Sequence, residues 1–393
     1  MLAKNGNIIK QLHIKKKTGE KKMRMSVNKS NLIKAMSISD SVVSSKNIRN
    51  ILGNCLFKIE HNCIYITGTD NEIAIKTKIN AIAEDSFSFA VNGKKFLNIL
   101  KELPDEEVNL DIDDSFAINI KSKNIKGNYI IYGFSAEEFP VLNFRTFDKI
   151  IEIDQAILKD MIKKVIYAAA VDTIKPVFNS VFFEIGQDNS INVVATDSRR
   201  LSIISRNIDS SIDDNIKIIA PLKTVNEILR LLGSSGKCKI SSDGNQCYFK
   251  IDDTEILSRL VDGEYPNYKH TIPKDYISKV SIETSLFIES LKRAMIFTKE
   301  PVYKILLFFE KDRLRIESNT PDLGKGEEEI AIEIEGNTDI NIGINGVFLL
   351  DCIKTIDSKY FTVGISGTSS PVTIIPEDDK NHISVIMPIH IKN

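Results

Sequence analysis

The chain has 393 residues, 42% of them hydrophobic and 27% charged, with 52 Lys plus Arg against 53 Asp plus Glu. That length accommodates two or three domains with real cores, and a net charge of −1 excludes overall basicity as the means of meeting nucleic acid, so any DNA-facing surface must be a local segregation of charge. Five cysteines without Cys-x-x-Cys spacing point away from a disulfide framework or zinc site and fit a reducing cytoplasm; no apolar run suggests a membrane span or a signal-peptide core.

Residues 1–22 are basic, with Lys15, Lys16, Lys17, Lys21 and Lys22, and lack apolar periodicity. They read as a disordered extension; translation starting at Met23 or Met25, or a nucleic-acid-binding arm, are the other readings. From Met23 onward a short pattern recurs: Ile51 to Phe57, Val177 to Phe183, and Tyr303 to Phe309. The closing phenylalanines stand 126 residues apart both times. That period is a whole domain, not a solenoid repeat. Three domains are expected at 23–147, 148–274 and 275–393.

Each third opens on alternating residues, at Ser26 to Asn28, Ile151 to Ile153 and Val280 to Ile282. A helical pattern follows, at Leu32 to Met36, Leu158 to Ile166 and Phe287 to Ala294. In the second of these, Ile157, Met161, Ile162 and Val165 form the apolar stripe. A second helix recurs at Lys94 to Leu103, Thr224 to Leu232 and Val347 to Ile356; Pro104 and Gly233 stop the first two. Segments such as Ile64 to Thr67, Ile191 to Val194 and Leu314 to Glu317 read as strands. The class is α+β, with two helices per domain on antiparallel sheets.

No P-loop, dinucleotide fingerprint, His-Glu-x-x-His or Gly-x-Ser-x-Gly is present, and the five histidines have no metal-ligand spacing. No cofactor, metal or catalytic residue is expected. Asp111 to Asp114 reads as a metal cluster or as a strand end with a turn at Asp113-Asp114-Ser115. Asp70 and Asp197 recur just after strands in two thirds of the chain, which favours turn chemistry over a metal-dependent nuclease. A β-rich scaffold without DNA contact is the remaining alternative.

Four motifs then occur in order: Ile64 to Glu72, Val194 to Leu201, Leu260 to Tyr268, and Val385 to Ile389. Together they resemble the β sliding clamps of bacterial DNA polymerase III, from about Met25 to the C-terminus. The resemblance implies the DNA clamp fold, and a non-enzymatic processivity factor whose two copies join head to tail into a ring of six domains around duplex DNA. Twelve helices of about 10 Å each would line a circumference of about 120 Å and a hole of about 38 Å, wide enough for a duplex. It also implies partners: the replicative polymerase subunit, repair polymerases, and an ATP-dependent clamp loader to open the ring.

By position in the family pattern, Lys46, Lys94, Lys175, Lys223 and Asn345 face the DNA. A groove for a peptide carrying Gln and spaced Leu or Phe is implied at Phe178, Thr196, Ser198, Arg199, Arg200 and Leu201. Its further members are Pro266, His270, Thr271, Val385, Met387, Pro388 and Ile389. The family commonly has Gly and His where this chain has Ser198 and Arg199, and Met at Ile389, which bears on groove shape and partner preference. The seam of the homodimer is implied at Tyr129 and Ile131 against Ile296 and Phe297, with Lys95 and Lys126 facing Glu327, Glu328 and Glu329.

Overall fold

The strand Met23–Asn28 ends on a residue whose side chain starts the next element. Asn28 accepts the Asn31 amide at 3.0 Å and caps α1 (Lys29–Asp40). Asn92 likewise caps α2 (Gly93–Glu102) through the Lys95 amide. The remaining helices are α3 (Gln155–Val165), α4 (Leu222–Leu231), α5 (Thr284–Met295) and α6 (Gly346–Ile353). The structure is a computed structural model and describes residues 23–43, 50–209 and 215–389; the basic extension lies outside them.

Two helical expectations need correction. On α3 the buried stripe is Leu158, Met161, Ile162 and Val165, while Ile157 faces solvent. Gln155 sets that phase. Its buried side chain accepts the Gly233 amide and donates to Asp252, both at 2.8 Å, which fixes the first turn. The helix then runs into a 3-10 turn, Ile166–Ala168. The sixth helix stops at Ile353 and not at Ile356, because the Thr355 hydroxyl bonds back to the Cys352 carbonyl at 2.7 Å. Ile356 is buried without being helical, so its apolar character prolongs the apparent pattern.

All three thirds follow one order: strand, helix, four strands, helix, three strands, with short extra strands at Ile82–Ala83, Phe134–Ser135 and Glu333–Gly336. Phe57, Phe183 and Phe309 occupy the first strand after the first helix, and each is fully buried. Each repeat folds into two antiparallel sheets. In the third repeat one sheet is ordered Gly324–Ala331, Arg313–Thr320, Lys304–Phe309, Ile340–Asn345. The other joins Ser278–Glu283, Tyr360–Ile365, Val372–Pro376 and His382–Ile386. Buried Val, Ile, Leu and Phe from both sheets, with α5 and α6, make one apolar core.

The chain divides into two compact units, up to Leu142 and from Asn143. Within the second unit the sheets of two repeats are continuous. Arg200–Asn207 of the second repeat pairs antiparallel with His382–Ile386 of the third, from Arg200 opposite Ile386 to Ile204 opposite His382. In the first unit, Tyr129–Tyr132 is the outer strand of its sheet, bonded only to Ala117–Ser122; in the second, Gly324–Ala331 is outermost, bonded only to Arg313–Thr320.

Candidate functional site

The chain turns three hairpins with one local device. Asp70, Asp197 and Asp243 each accept the amides two and three residues ahead at 2.8–2.9 Å. A hydroxyl just before each aspartate, from Thr69, Thr196 or Ser242, bonds the carbonyl four residues on. The residue after the aspartate is left-handed: Asn71 at φ 79°, Ser198 at 76° and Gly244 at 91°. These aspartates are therefore turn formers. Asp113 does the same for Ser115 and Ala117, while Asp111 pairs with Lys121 at 2.5 Å.

The second of these hairpins borders the junction between the second and third repeats. Next to it lies a cavity of about 130 Å³, lined by Phe178, Thr196, Ser198, Arg199, Arg200, Leu201, Pro266, Thr271, Val385 and Met387. Tyr268 also lines it, and sequence reasoning missed it. Its signal was present: an aromatic two residues after Pro266, closing the stretch Leu260 to Tyr268. Of the expected groove residues, His270 is exposed and, like Pro388 and Ile389, does not line the cavity. The volume suits one or two apolar side chains.

Packing holds the walls. Phe182 stacks on Tyr265 with centroids 4.6 Å apart, and Leu201, Val385 and Tyr268 join the same apolar cluster. The Tyr268 hydroxyl donates to Glu184 at 2.6 Å. Burial and then that carboxylate push the Tyr268 phenol well above its usual range, so it stays a donor. The C-terminal segment is strapped across the junction: the Met387 amide bonds the Arg199 carbonyl at 2.8 Å and the Ile389 amide bonds the Gly343 carbonyl at 2.7 Å.

Arg200 ties the cavity to the third repeat. Its guanidinium donates to Asp197 at 3.0 Å and to Asp351, on α6, at 2.8 Å. It lies 4.4 Å from the Phe348 ring centroid and 5.4 Å from that of Tyr167. Tyr167 in turn bonds Ser384 at 2.8 Å.

Against this geometry, the N-terminal, central and C-terminal domains of the DNA polymerase III beta subunit match residues 23–143, 152–267 and 269–390. The chain belongs to the DNA polymerase III beta subunit family. A beta sliding clamp of Halalkalibacterium halodurans is 28% identical over 361 residues, covering 88% of this chain and 94% of that one. One of Staphylococcus epidermidis is 26% identical over 378 residues, covering 93% and 99%. Among solved structures, the beta subunit of Thermotoga maritima superposes with a TM-score of 0.86 at 28% identity, covering 94% of this chain and all of that one. The Bacillus subtilis sliding clamp, at 24% identity and a TM-score of 0.90 over 95% of this chain, shares the fold. As a β subunit the chain is a sliding clamp, a non-catalytic processivity factor acting with DNA polymerase III. Among the described residues, no helix is long and apolar enough to cross a membrane.

Of the β subunit's expected DNA-facing residues, Lys94 and Lys223 are exposed and hold the same place, second residue of α2 and of α4. Lys175 is exposed with its ammonium 5.9 Å from the Phe178 ring centroid, beside the cavity. Asn345 instead plays a structural part. It is buried, and its side-chain oxygen caps α6 by accepting the Val347 and Phe348 amides. Lys46 lies outside the described residues.

The expected seam residues divide. Tyr129 and Ile296 are exposed, Ile296 at 70%. Ile131, by contrast, points into the first unit's core at 8% exposure, because alternation on its strand turns Ile130 and Tyr132 outward instead. Phe297 is half-buried against Gly324 and Gly326 of its own edge strand. Lys95 and Lys126 are exposed. Glu327, Glu328 and Glu329 already have cations in the same chain, in Lys325, Arg293 and Arg313.

Proposed function

We propose that two copies of the chain close head to tail into a ring that encircles duplex DNA, slides along it, and tethers the polymerase and other partners through the cavity beside Arg199–Leu201. The observation that carries the ring is the repeat logic of the sheets. Inside the second unit, the third strand of one repeat's first sheet (Arg200–Asn207) pairs with the last strand of the next repeat (His382–Ile386). The equivalent third strand of the last repeat, Gly324–Ala331, and the equivalent last strand of the first repeat, Tyr129–Tyr132, are both outer strands. Joining them between copies repeats the internal joint, and a heterologous contact of that kind closes when its rotation fits the ring. The exposed apolar Ile130, Tyr132 and Ile296 give that contact something to bury.

A ring held topologically needs no tight grip on phosphate. Scattered cations such as Lys94 and Lys223, with Lys46 and Lys175, supply sequence-neutral attraction and leave sliding free. The groove takes a short segment carrying Gln and spaced Leu or Phe from the replicative polymerase, repair polymerases and an ATP-dependent clamp loader. Once the ring is on DNA, effective concentration makes a weak contact sufficient. The seam is tested by light scattering on a chain carrying Tyr132→Lys and Ile296→Glu. The expected outcome is a folded monomer, since both positions are exposed in the single chain. A variant that stays dimeric rules this seam out.

A further inference from the structure

Alternation on the first sheet of the first repeat sorts its side chains by face. Met25, Val27, Val108, Leu110, Ile118 and Ile120 enter the apolar core. Arg24, Ser26, Glu107, Asn109 and Lys121 lie on the other face, and they line a cavity of about 750 Å³. Charge on that face is uneven. Asp111 is balanced by Arg24 at 3.9 Å and by Lys121 at 2.5 Å. Glu84, Glu106 and Glu107 are exposed and have no ion-pair partner among the described residues. The Glu106 carboxylate accepts the Ser30 hydroxyl at 3.0 Å, and that of Glu107 accepts the Ser26 hydroxyl. Among these acids stands Ile82, 73% exposed, which lines this cavity and a neighbouring one.

The chain itself holds a complement to this face. Residues 1–22 carry seven lysines against one acid, Glu20, with apolar residues at Ile8, Ile9, Leu12 and Ile14. They lead directly into Met23–Asn28, the strand that brings Arg24 and Ser26 to the cavity. At Met25 and Ser26 both sides of that strand are already paired, with Ile82–Ala83 and with Glu107–Ile112. A segment returning along it therefore lies over the face and does not extend the sheet.

We propose that residues 1–22 dock over this face, with Lys10 at Glu106 and Glu107, Leu12 on Ile82, and Lys15 to Lys17 at Glu84. A reversal centred on Gly19, a residue suited to tight turns, sets one register for all three. Lys10 falls level with Asn28, which pairs with Glu107. Leu12 falls level with Ser26, which pairs with Ile82. Lys15 falls level with Met23, next to Arg24, whose carbonyl accepts the Glu84 amide at 3.2 Å. Exposed ion pairs each contribute little, but the covalent link supplies the segment at an effective concentration on the order of millimolar. Several weak contacts then suffice. Docked there, the lysines are compensated within the chain and do not add to phosphate attraction.

The test uses the full-length protein and a carbodiimide crosslinker, which joins a lysine amine to a carboxylate in contact with it. Mass spectrometry is expected to find Lys10 joined to Glu106 or Glu107, and Lys15 to Lys17 joined to Glu84. Trypsin gives a second readout. Cleavage after Lys10 is expected to be roughly two- to five-fold slower in the native chain than in Glu106→Gln/Glu107→Gln at low salt, and alike in both at about 0.5 M salt. Both substituted positions are exposed, so the variant folds. Absence of these crosslinks, or equal cleavage at low salt, overturns the proposal. So does a crosslink found only between a labelled and an unlabelled copy, which makes the occupant a second chain. Protection of Lys10 that appears only when duplex DNA is added assigns the segment to phosphate, and overturns it as well.

Discussion

The junction inside the second unit and the two open edges of the chain are built from equivalent strands, yet they are finished differently. At the junction, Arg200–Asn207 and His382–Ile386 exchange a full ladder. Beside that ladder lies a polar set: the buried Ser202 bonds the Lys164 carbonyl at 2.8 Å, Arg206 reaches Asp379, and Arg200 reaches Asp351. At the edges, Tyr129–Tyr132 and Gly324–Ala331 have no second neighbour in their sheets; the first leaves Tyr129, Ile130 and Tyr132 in water, and the second a run of charged side chains. One joint carries ion pairs between residues far apart in sequence. The open edges offer unpaired backbone groups, with exposed apolar side chains on Tyr129–Tyr132 and charged ones on Gly324–Ala331.

The contrast can be broken first at Arg200. Its side chain is 11% exposed, so Arg200→Ala leaves Asp197 and Asp351 short of a cation at the junction. Urea unfolding is expected to show a loss of about 3–5 kcal/mol, nearer the lower figure because Asp351 is a third exposed. Tyr132→Lys, at 75% exposure, is expected to change fold stability by less than about 0.5 kcal/mol while weakening dimerisation. Equal losses at the two positions would erase the distinction.

Acid sharpens it next. His382 is buried at the junction, with Nε2 3.3 Å from the Ser202 hydroxyl and no hydrogen-bond partner at Nδ1 among the described residues. Burial, and then the cationic Lys164, lower its pKa from 6.5 to about 4, against the opposing pull of Asp379 and Asp160. The unfolded chain takes the proton first. Stability from this group is therefore complete above about pH 6.5 and is lost as pH falls toward about 4, a total of roughly 3 kcal/mol. Asp379 adds a loss further down. Burial opposes its ionisation, but Arg206 and then Lys164 hold its carboxyl below the usual range, so its contribution goes as pH falls through that depressed value. Chemical denaturation across pH 7 to pH 4 is expected to be flatter for His382→Gln; an identical slope would remove His382 from the account.

The smallest effect concerns the turn before Arg199. Ser198 holds a left-handed backbone at φ 76° where the equivalent hairpin at 242–246 uses Gly244. Ser198→Gly is expected to raise stability by roughly 1 kcal/mol in thermal melts, because a Cβ is disfavoured in that conformation. A drop would mean that the serine side chain supplies a compensating contact.

Much of this was legible in the sequence where local periodicity carried it. The 126-residue spacing of Phe57, Phe183 and Phe309 marked equivalent strands because each must fill the same core position. That six helices exist was readable from the apolar pattern, although α1, α3 and α5 begin three residues before it, and Asn345 ahead of Gly346 is an N-cap signal. What was missed depends on long-range partners. The phase of α3 is set by Gln155 reaching Gly233 and Asp252, so Ile157 and Leu158 exchange faces. Ile131 was misplaced by one step of a strand alternation, which flips a side chain from surface to core. The two arginines at 199 and 200 look alike in sequence; only Asp351, 151 positions further along, separates the tied one from the exposed one.

The central claim is that the chain holds DNA by encircling it. The direct measurement is retention before and after the DNA circle is cut: load the protein onto nicked circular DNA with a cognate clamp loader and ATP, isolate the complex, then linearise. The account predicts a complex that persists on the circle and dissociates once free ends exist. Protein that remains on linear DNA with open ends would mean that it grips the duplex directly, and the topological account would be wrong.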